Sequence, residues 1–92
     1  MKIAINDDYG GFGLSKEAYE YLGLKWDGCG YGYDDYEKRT APKLIECIEK
    51  LGKKASGQLA SLKVVEIPDG VEWTIEEYDG IEWVAEKHKT WG

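Results

Sequence analysis

The residues whose types and spacing could do chemistry lie mainly in two glycine-rich segments. In the first, Tyr9-Gly10-Gly11-Phe12-Gly13 follows an apolar run and precedes Ser15. Adjacent glycines let the backbone approach a ligand closely, and the N-terminus of a following helix attracts anions. The segment matches neither the P-loop motif nor the dinucleotide-binding motif. A tight strand-to-helix turn is therefore the competing interpretation.

The second segment alternates glycine with larger residues between Gly28 and Tyr36. Tyrosines on a flexible backbone form adaptable binding surfaces. The alternative is a surface loop whose tyrosines fold back onto the core. Combining both segments with nearby cations predicts a ligand-binding set of Tyr9, Gly10, Gly11, Phe12, Lys16, Tyr31, Tyr33 and Arg39. The first loop would supply backbone donors, the two cations would supply charge, and the later tyrosines would stack on a base.

Other constellations carry weaker chemistry. Five carboxylates cluster near the C-terminal end: Glu72, Glu76, Glu77, Glu82 and Glu86. The predicted strands place them on the solvent side, so a solvated face is a simpler interpretation than acid–base catalysis. Loose catalytic candidates are Asp7, Asp8 and His88, which form no recognised motif. One histidine and two widely spaced cysteines fit no structural zinc pattern. We expect no catalytic residue, no metal site and no cofactor.

Composition bounds the remaining possibilities. The 92 residues suit a single domain spanning 1–92, and the net charge of −6 argues against direct binding to nucleic-acid backbones. An acidic mimic of nucleic acid stays open, and so does homo-oligomerisation. The chain begins on a strand-like run and has no membrane-length apolar stretch. We therefore expect a cytoplasmic protein with no membrane partner, in which Cys29 and Cys47 are reduced.

The elements that must position these residues alternate between strand and helix patterns. Ser15 is expected to cap the first helix and Thr40 the second, which has Pro42 in its first turn. The dipeptide Asp79-Gly80 predicts a two-residue hairpin turn. The predicted elements are strand 2–6, helix 16–22, a second helix between its Thr40 cap and Gly52, strand 62–67, strand 71–78 and strand 81–86.

This order, β-α-α-β-β-β, predicts an α+β fold in which a small sheet with a C-terminal antiparallel hairpin packs against two helices. Residues 24–39 are the least regular stretch and are read as a loop. Residues on the apolar side of each element are expected to be buried together: Ile3, Ile5, Leu44, Ile48, Leu51, Val65, Trp73 and Trp83.

The chain opens with Met1-Lys2-Ile3-Ala4-Ile5-Asn6 and the following Tyr-Gly-Gly-Phe, and its C-terminal part contains the segments 65–73, 75–80 and 82–88. These segments resemble the two ends of a family of small, uncharacterised bacteriophage-encoded proteins. The helix from Pro42 to Gly52 also fits, and only about residues 24 to 38 fall outside the resemblance. It implies a phage or prophage origin and action in a bacterial cytosol, and it carries over no catalytic residue.

Two functions from different classes follow. The first is a non-enzymatic accessory protein that counters host defence by sequestering a small anionic, nucleotide-like ligand. The alternative is an inhibitor that binds a host protein through the acidic hairpin or the Gly/Tyr-rich loop. Both rest on the analogy that small phage proteins often occupy something that belongs to the host.

Overall fold

Six regular elements build the fold in a computed structural model that describes residues 1–30, 33 and 36–86. They follow the predicted order, and the α+β class is confirmed. Two 3-10 helices, over Tyr36–Thr40 and Gly52–Ala55, were not predicted. The main elements are the strands β1 (Lys2–Asn6), β2 (Leu62–Glu66), β3 (Trp73–Tyr78) and β4 (Ile81–Glu86), and the helices α1 (Lys16–Leu22) and α2 (Pro42–Leu51).

The helix ends follow local backbone chemistry at three of the four termini. Ser15 caps α1, since its Oγ accepts the N–H of Ala18 at 3.1 Å, and Gly23 ends that helix at φ 73°. Gly52 ends α2. The expected cap at Thr40 is wrong, because Thr40 is the last residue of the preceding 3-10 helix and Ala41 occupies the cap position without a side-chain hydrogen bond.

The four strands form two separate antiparallel pairs. β1 pairs with β2, with Ile3 opposite Val65, and β3 pairs with β4 across the Asp79–Gly80 turn. Both turn residues have positive φ, 51° and 92°, as a two-residue hairpin turn requires. The predicted hairpin is confirmed, although β3 starts at Trp73 rather than at position 71, and β2 ends one residue early.

The β1–β2 sheet lies between the helices and the hairpin. Ala4 packs on the helix side with Leu44 and Ile48, whereas Ile3 and Ile5 pack on the opposite side. There they meet Ile75 of the hairpin. The prediction of one shared core is therefore wrong, because alternate residues of β1 enter two clusters on opposite faces of the sheet.

The prediction that Trp83 is a core residue is also wrong. The hairpin register places Val84 opposite Ile75 and Glu82 opposite Glu77, so these β4 residues share the inward face with Ile75. Trp83 then faces outward and is 42% exposed. The two faces of β4 both contain apolar residues, so the alternation of residue types could not show which face is buried.

The two cysteines are free thiols in different environments. Cys29 is exposed, while Cys47 lies in the helix-side cluster, where burial raises the pKa of its thiol. Among residues 1–30, 33 and 36–86, no helix combines the length and apolar character needed to cross a bilayer.

Candidate functional site

The glycine loop at Tyr9–Gly13 is pressed against the turn of the hairpin. Gly10 and Gly11 have φ of 106° and 92°, and the N–H of Gly10 donates to the carbonyl oxygen of Asp79 at 3.4 Å. A Cβ on Gly80 would lie 2.3 Å from the nitrogen of Gly11, which no side chain could tolerate. Glycine is therefore needed here for backbone-to-backbone packing, as the turn interpretation of this segment requires.

Asn6 holds this junction together from inside, a role that sequence reasoning missed. Its side chain is fully buried, and its Nδ2 donates to the carbonyl oxygens of Asp8 at 2.6 Å and Gly80 at 2.8 Å. Its Oδ1 accepts the N–H of Ser61 at 2.8 Å. One amide side chain thus connects three loops that are distant in sequence. The only sequence signal was a polar residue at the end of an apolar strand.

Arg39 was expected at the binding surface, and the structure instead places it in the interior with no exposed area. Its guanidinium makes two hydrogen bonds to the carboxylate of Glu82, at 2.6 and 2.9 Å. It also lies 3.6 Å from the centre of the Phe12 ring, which is itself buried. Stacked on each other inside the protein, these two residues serve the fold, and neither presents its side chain to solvent.

The Arg39–Glu82 pair satisfies backbone groups at the edge of β1 that faces away from β2. The N–H of Asn6 donates to Glu82 Oε1 at 2.9 Å, and Arg39 Nη1 donates to the carbonyl oxygen of Ala4 at 3.3 Å. A carboxylate and a guanidinium thereby take the positions that an adjacent strand would fill. The expectation that Glu82 lies on a solvated acidic face is wrong, since only 5% of its side chain is exposed.

The other predicted ligand-binding residues are not gathered into one site. Tyr9 is 58% exposed beside the junction with the hairpin. Lys16 lies in a separate pocket, and Tyr33 packs against the helix-side cluster with Lys38 Nζ 5.7 Å from the centre of its ring. Tyr31 and His88 lie outside the described residues.

The pocket at Lys16 has a volume of about 380 Å³ and lies between the start of α1 and residues 56–59. Trp26 lines it and contacts Tyr19 edge-to-face, with ring centres 5.2 Å apart. Asp27 orders the adjoining backbone, since its Oδ1 accepts the N–H groups of Cys29 at 2.9 Å and Gly30 at 2.6 Å. The pocket therefore brings one cation and one large aromatic ring together.

A larger groove of about 440 Å³ runs between the first residues of β1 and α2. Its charged side chains pair with each other: Lys2 Nζ lies 2.9 Å from Glu49, and Lys50 Nζ lies 3.2 Å from Glu46. These pairs raise the pKa of both lysines and lower that of Glu46. Each of these four charged side chains therefore already has a counter-charge within the groove.

The hairpin exposes an aromatic surface on the side away from the core, which we call the outer hairpin face. Tyr78 is 72% exposed, and Trp83 extends its indole N–H to Glu76 Oε2 at 3.2 Å. The pairing of β3 with β4 sets these side chains on one surface. The outer hairpin face consists of Thr74, Glu76, Tyr78, Ile81, Trp83 and Ala85.

Acidic charge is concentrated in the hairpin that carries this face. Residues 71–86 contain six carboxylates and neither lysine nor arginine. Glu82 is neutralised by Arg39, which leaves five exposed carboxylates that form no ion pair with any other described residue: Glu72, Glu76, Glu77, Asp79 and Glu86. The hairpin thus combines exposed aromatic rings with uncompensated negative charge.

Comparison of the chain with protein-family models, with curated proteins and with solved structures gives no match. The part of the chain that the structure describes contains no cluster of three or more histidine, cysteine or carboxylate side chains that could hold a metal ion.

Proposed function

We propose that the chain is a non-enzymatic protein-binding module that docks through the outer hairpin face onto a basic, partly apolar surface of its partner. The observation that carries this proposal is the exposure of Tyr78 and Trp83 on a sheet face whose opposite side is packed in the core. Neither ring belongs to a hydrophobic cluster of the described residues. Of the two functions expected from sequence, this is the protein-binding alternative.

The chemistry of this face suits a protein partner. Tyrosine and tryptophan dominate binding hot spots, because they bury a large area and lose little side-chain entropy. The exposed carboxylates of the hairpin would accelerate encounter with a cationic surface and exclude acidic partners. The two predicted residues that would have favoured a nucleotide, Phe12 and Arg39, are occupied with each other inside the protein.

A peptide-display selection on the immobilised chain tests this proposal. We expect enrichment of peptides that combine lysine or arginine with apolar residues. The double variant Tyr78→Ala/Trp83→Ala should abolish the enrichment, while Tyr9→Ala should preserve it, because it removes a ring elsewhere whose exposure lies between those of Tyr78 and Trp83. Enrichment that survives the double variant, or that is lost in Tyr9→Ala alone, contradicts the assignment of this face.

A second candidate function is binding of an anionic, nucleotide-like ligand in the pocket at Lys16, away from the glycine loop. The pocket at Lys16 and Trp26 supports it, because a cation and an aromatic ring are what a nucleotide requires of its site. A thermal-shift screen against nucleotides would show stabilisation of about 2.7 kcal/mol at a hundred times the dissociation constant. Lys16→Ala should remove that shift. Stabilisation that is unchanged in Lys16→Ala would place the ligand elsewhere.

The phage-type setting of either function rests on the sequence resemblance. It implies action inside a bacterium, so the proposed partner is a component of a bacterial host. Interference with a host defence is proposed by the analogy that small phage proteins often occupy something that belongs to the host. The choice of binding surface is supported by the contacts described above. The resemblance contributes only the cell in which the partner would be found.

A further inference from the structure

The outer edge of β3 carries backbone groups that have no hydrogen-bond partner among residues 1–30, 33 and 36–86. The two-residue turn makes Tyr78 and Ile81 the closing hydrogen-bonded pair, so hydrogen-bonded pairs recur at every second residue of the hairpin. The N–H and C=O groups of Trp73, Ile75 and Glu77 therefore point away from β4. In the described ranges they form no hydrogen bond to backbone or side chain.

This edge differs in its charge from the two edges of the β1–β2 sheet. The edge of β1 is satisfied at Ala4 and Asn6 by the Arg39–Glu82 pair, and β2 carries both Lys63 and Glu66. β3 carries only negative charge, at Glu76 and Glu77. Successive residues of a strand point to opposite faces, so one of these carboxylates lies on each side of the edge.

We propose that β3 accepts a basic, extended segment of the partner protein as a third strand of the hairpin sheet. This inference rests on the proposed function and specifies how the partner binds. Edge pairing would satisfy the backbone groups of Trp73, Ile75 and Glu77, and the added strand would lie beside Tyr78 on the outer hairpin face. Adjacent lysine or arginine residues of the partner would face Glu76 on one side and Glu77 on the other.

The same charge argues against a second copy of this chain as the added strand. Pairing β3 with β3 of another copy would bring four carboxylates to one seam, and like charges on neighbouring strands are destabilising. A basic segment meets no such repulsion. The edge therefore selects a hetero-partner by charge, while backbone pairing supplies the contacts.

Strand addition can be distinguished from docking on the hairpin face, because an added strand forms backbone hydrogen bonds to β3 along only one of its two edges. The probe is the acetylated and amidated hexapeptide Thr-Val-Lys-Arg-Val-Thr, measured by fluorescence anisotropy on the full chain. Two versions carry backbone N-methyl groups on alternate residues, one set for each edge of the peptide. We expect one version to bind at least about tenfold more weakly than the parent, and the other to bind like it.

Hydrogen exchange on the full chain gives a second readout. The amides of Ile75 and Glu77 should exchange at least about tenfold more slowly with saturating parent hexapeptide, while the Tyr78 amide, already paired with Ile81, should change little. Equal binding of the two methylated peptides overturns strand addition, and so does unchanged exchange at Ile75. Loss of binding in Tyr78→Ala/Trp83→Ala with equal binding of both methylated peptides would overturn strand addition alone and leave the proposed function standing.

Discussion

At the scale of single residues, the fold depends on a charge pair whose members look like surface residues in the sequence. Glu82 was expected among solvated carboxylates and Arg39 in a loop, yet the two meet inside the protein at 2.6 Å. Neither position has a periodicity that reveals burial, because each partner is tolerated in the interior only through the other. The pair could be recognised only after the hairpin register was known.

Glu82→Ala should cost about 3–5 kcal/mol in the free energy of unfolding, because it leaves Arg39 buried without its counter-charge and the Asn6 N–H without an acceptor. Chemical denaturation measures the loss. Glu76→Ala in the adjacent strand is the matched control and should change stability by no more than about 0.5 kcal/mol, since Glu76 is exposed. Equal losses in the two variants would mean that the buried pair contributes nothing specific.

Alkylation should distinguish the two thiols. Cys29 is exposed and should react readily in the native protein, whereas Cys47 should react more than about tenfold more slowly, because it is buried and its raised pKa keeps it protonated. Intact-mass measurement over time follows both thiols. The Cys29→Ser variant should retain only the slow phase. A pair protected from alkylation until reductant is added would show a disulfide and contradict this account.

At the scale of elements, the contact between the glycine loop and the hairpin turn fixes how the hairpin sits on the sheet. Gly80 and Gly70 both have positive φ, but only Gly80 faces backbone, with Gly11 nitrogen 2.3 Å from where a Cβ would lie. Gly70→Ala should therefore cost about 1–2 kcal/mol from strain alone. Gly80→Ala should cost about 1–3 kcal/mol more, from overpacking.

Thermal or chemical denaturation of the two glycine variants, measured side by side, decides this. If Gly80→Ala is no more destabilising than Gly70→Ala, the turn does not pack on the loop as described, and the hairpin orientation would have to be revised.

The helix face and the outer hairpin face also differ in what truncation should cost. Ile48 is buried among helix-side residues, so Ile48→Ala should cost about 2–5 kcal/mol of stability. Trp83 is partly exposed and should tolerate truncation with a loss of about 1 kcal/mol or less. Denaturant titration of both variants is the check. A loss of 3 kcal/mol or more in Trp83→Ala, of the size expected for a buried tryptophan, would return this residue to the core.

The positions of the strands and helices were largely predictable from the sequence. Which face of each strand is buried was not. The strand and helix positions followed from local signals such as Ser15, Pro42 and the Asp79-Gly80 dipeptide, which act within a few residues. Which side of β4 is buried depends on its register with β3 and on the position of Arg39, which lies 43 residues away from Glu82 in sequence. Long-range pairing of this kind leaves no periodic signal in one sequence.

At the scale of the whole molecule, charge and apolar surface are divided between layers. The helix side pairs many of its charges locally, as in Lys50 with Glu46, while the hairpin presents carboxylates without cations. The binding set expected from sequence mixed residues that the fold separates: Phe12 and Arg39 inside, Tyr9 at the loop and Lys16 in a pocket. Composition could indicate a binding surface rich in tyrosine and tryptophan, and only the fold could locate it.

The acidic hairpin also predicts how binding should depend on salt. Affinity for a basic peptide from the display selection should fall as ionic strength rises, because exposed charges are screened beyond about 8 Å at physiological salt. Isothermal titration at two salt concentrations measures this. Affinity that is independent of salt would mean that the carboxylates around Tyr78 and Trp83 take no part.

Nitrogen-15 NMR of the full chain, titrated with a display-selected basic peptide, shows whether the outer hairpin face is the binding surface. We expect the largest shifts on the amides of Glu76, Tyr78 and Trp83 and on the indole N–H of Trp83. Shifts centred on Lys16 and Trp26, with the hairpin signals unchanged, would rule out the outer hairpin face and assign binding to the pocket at Lys16.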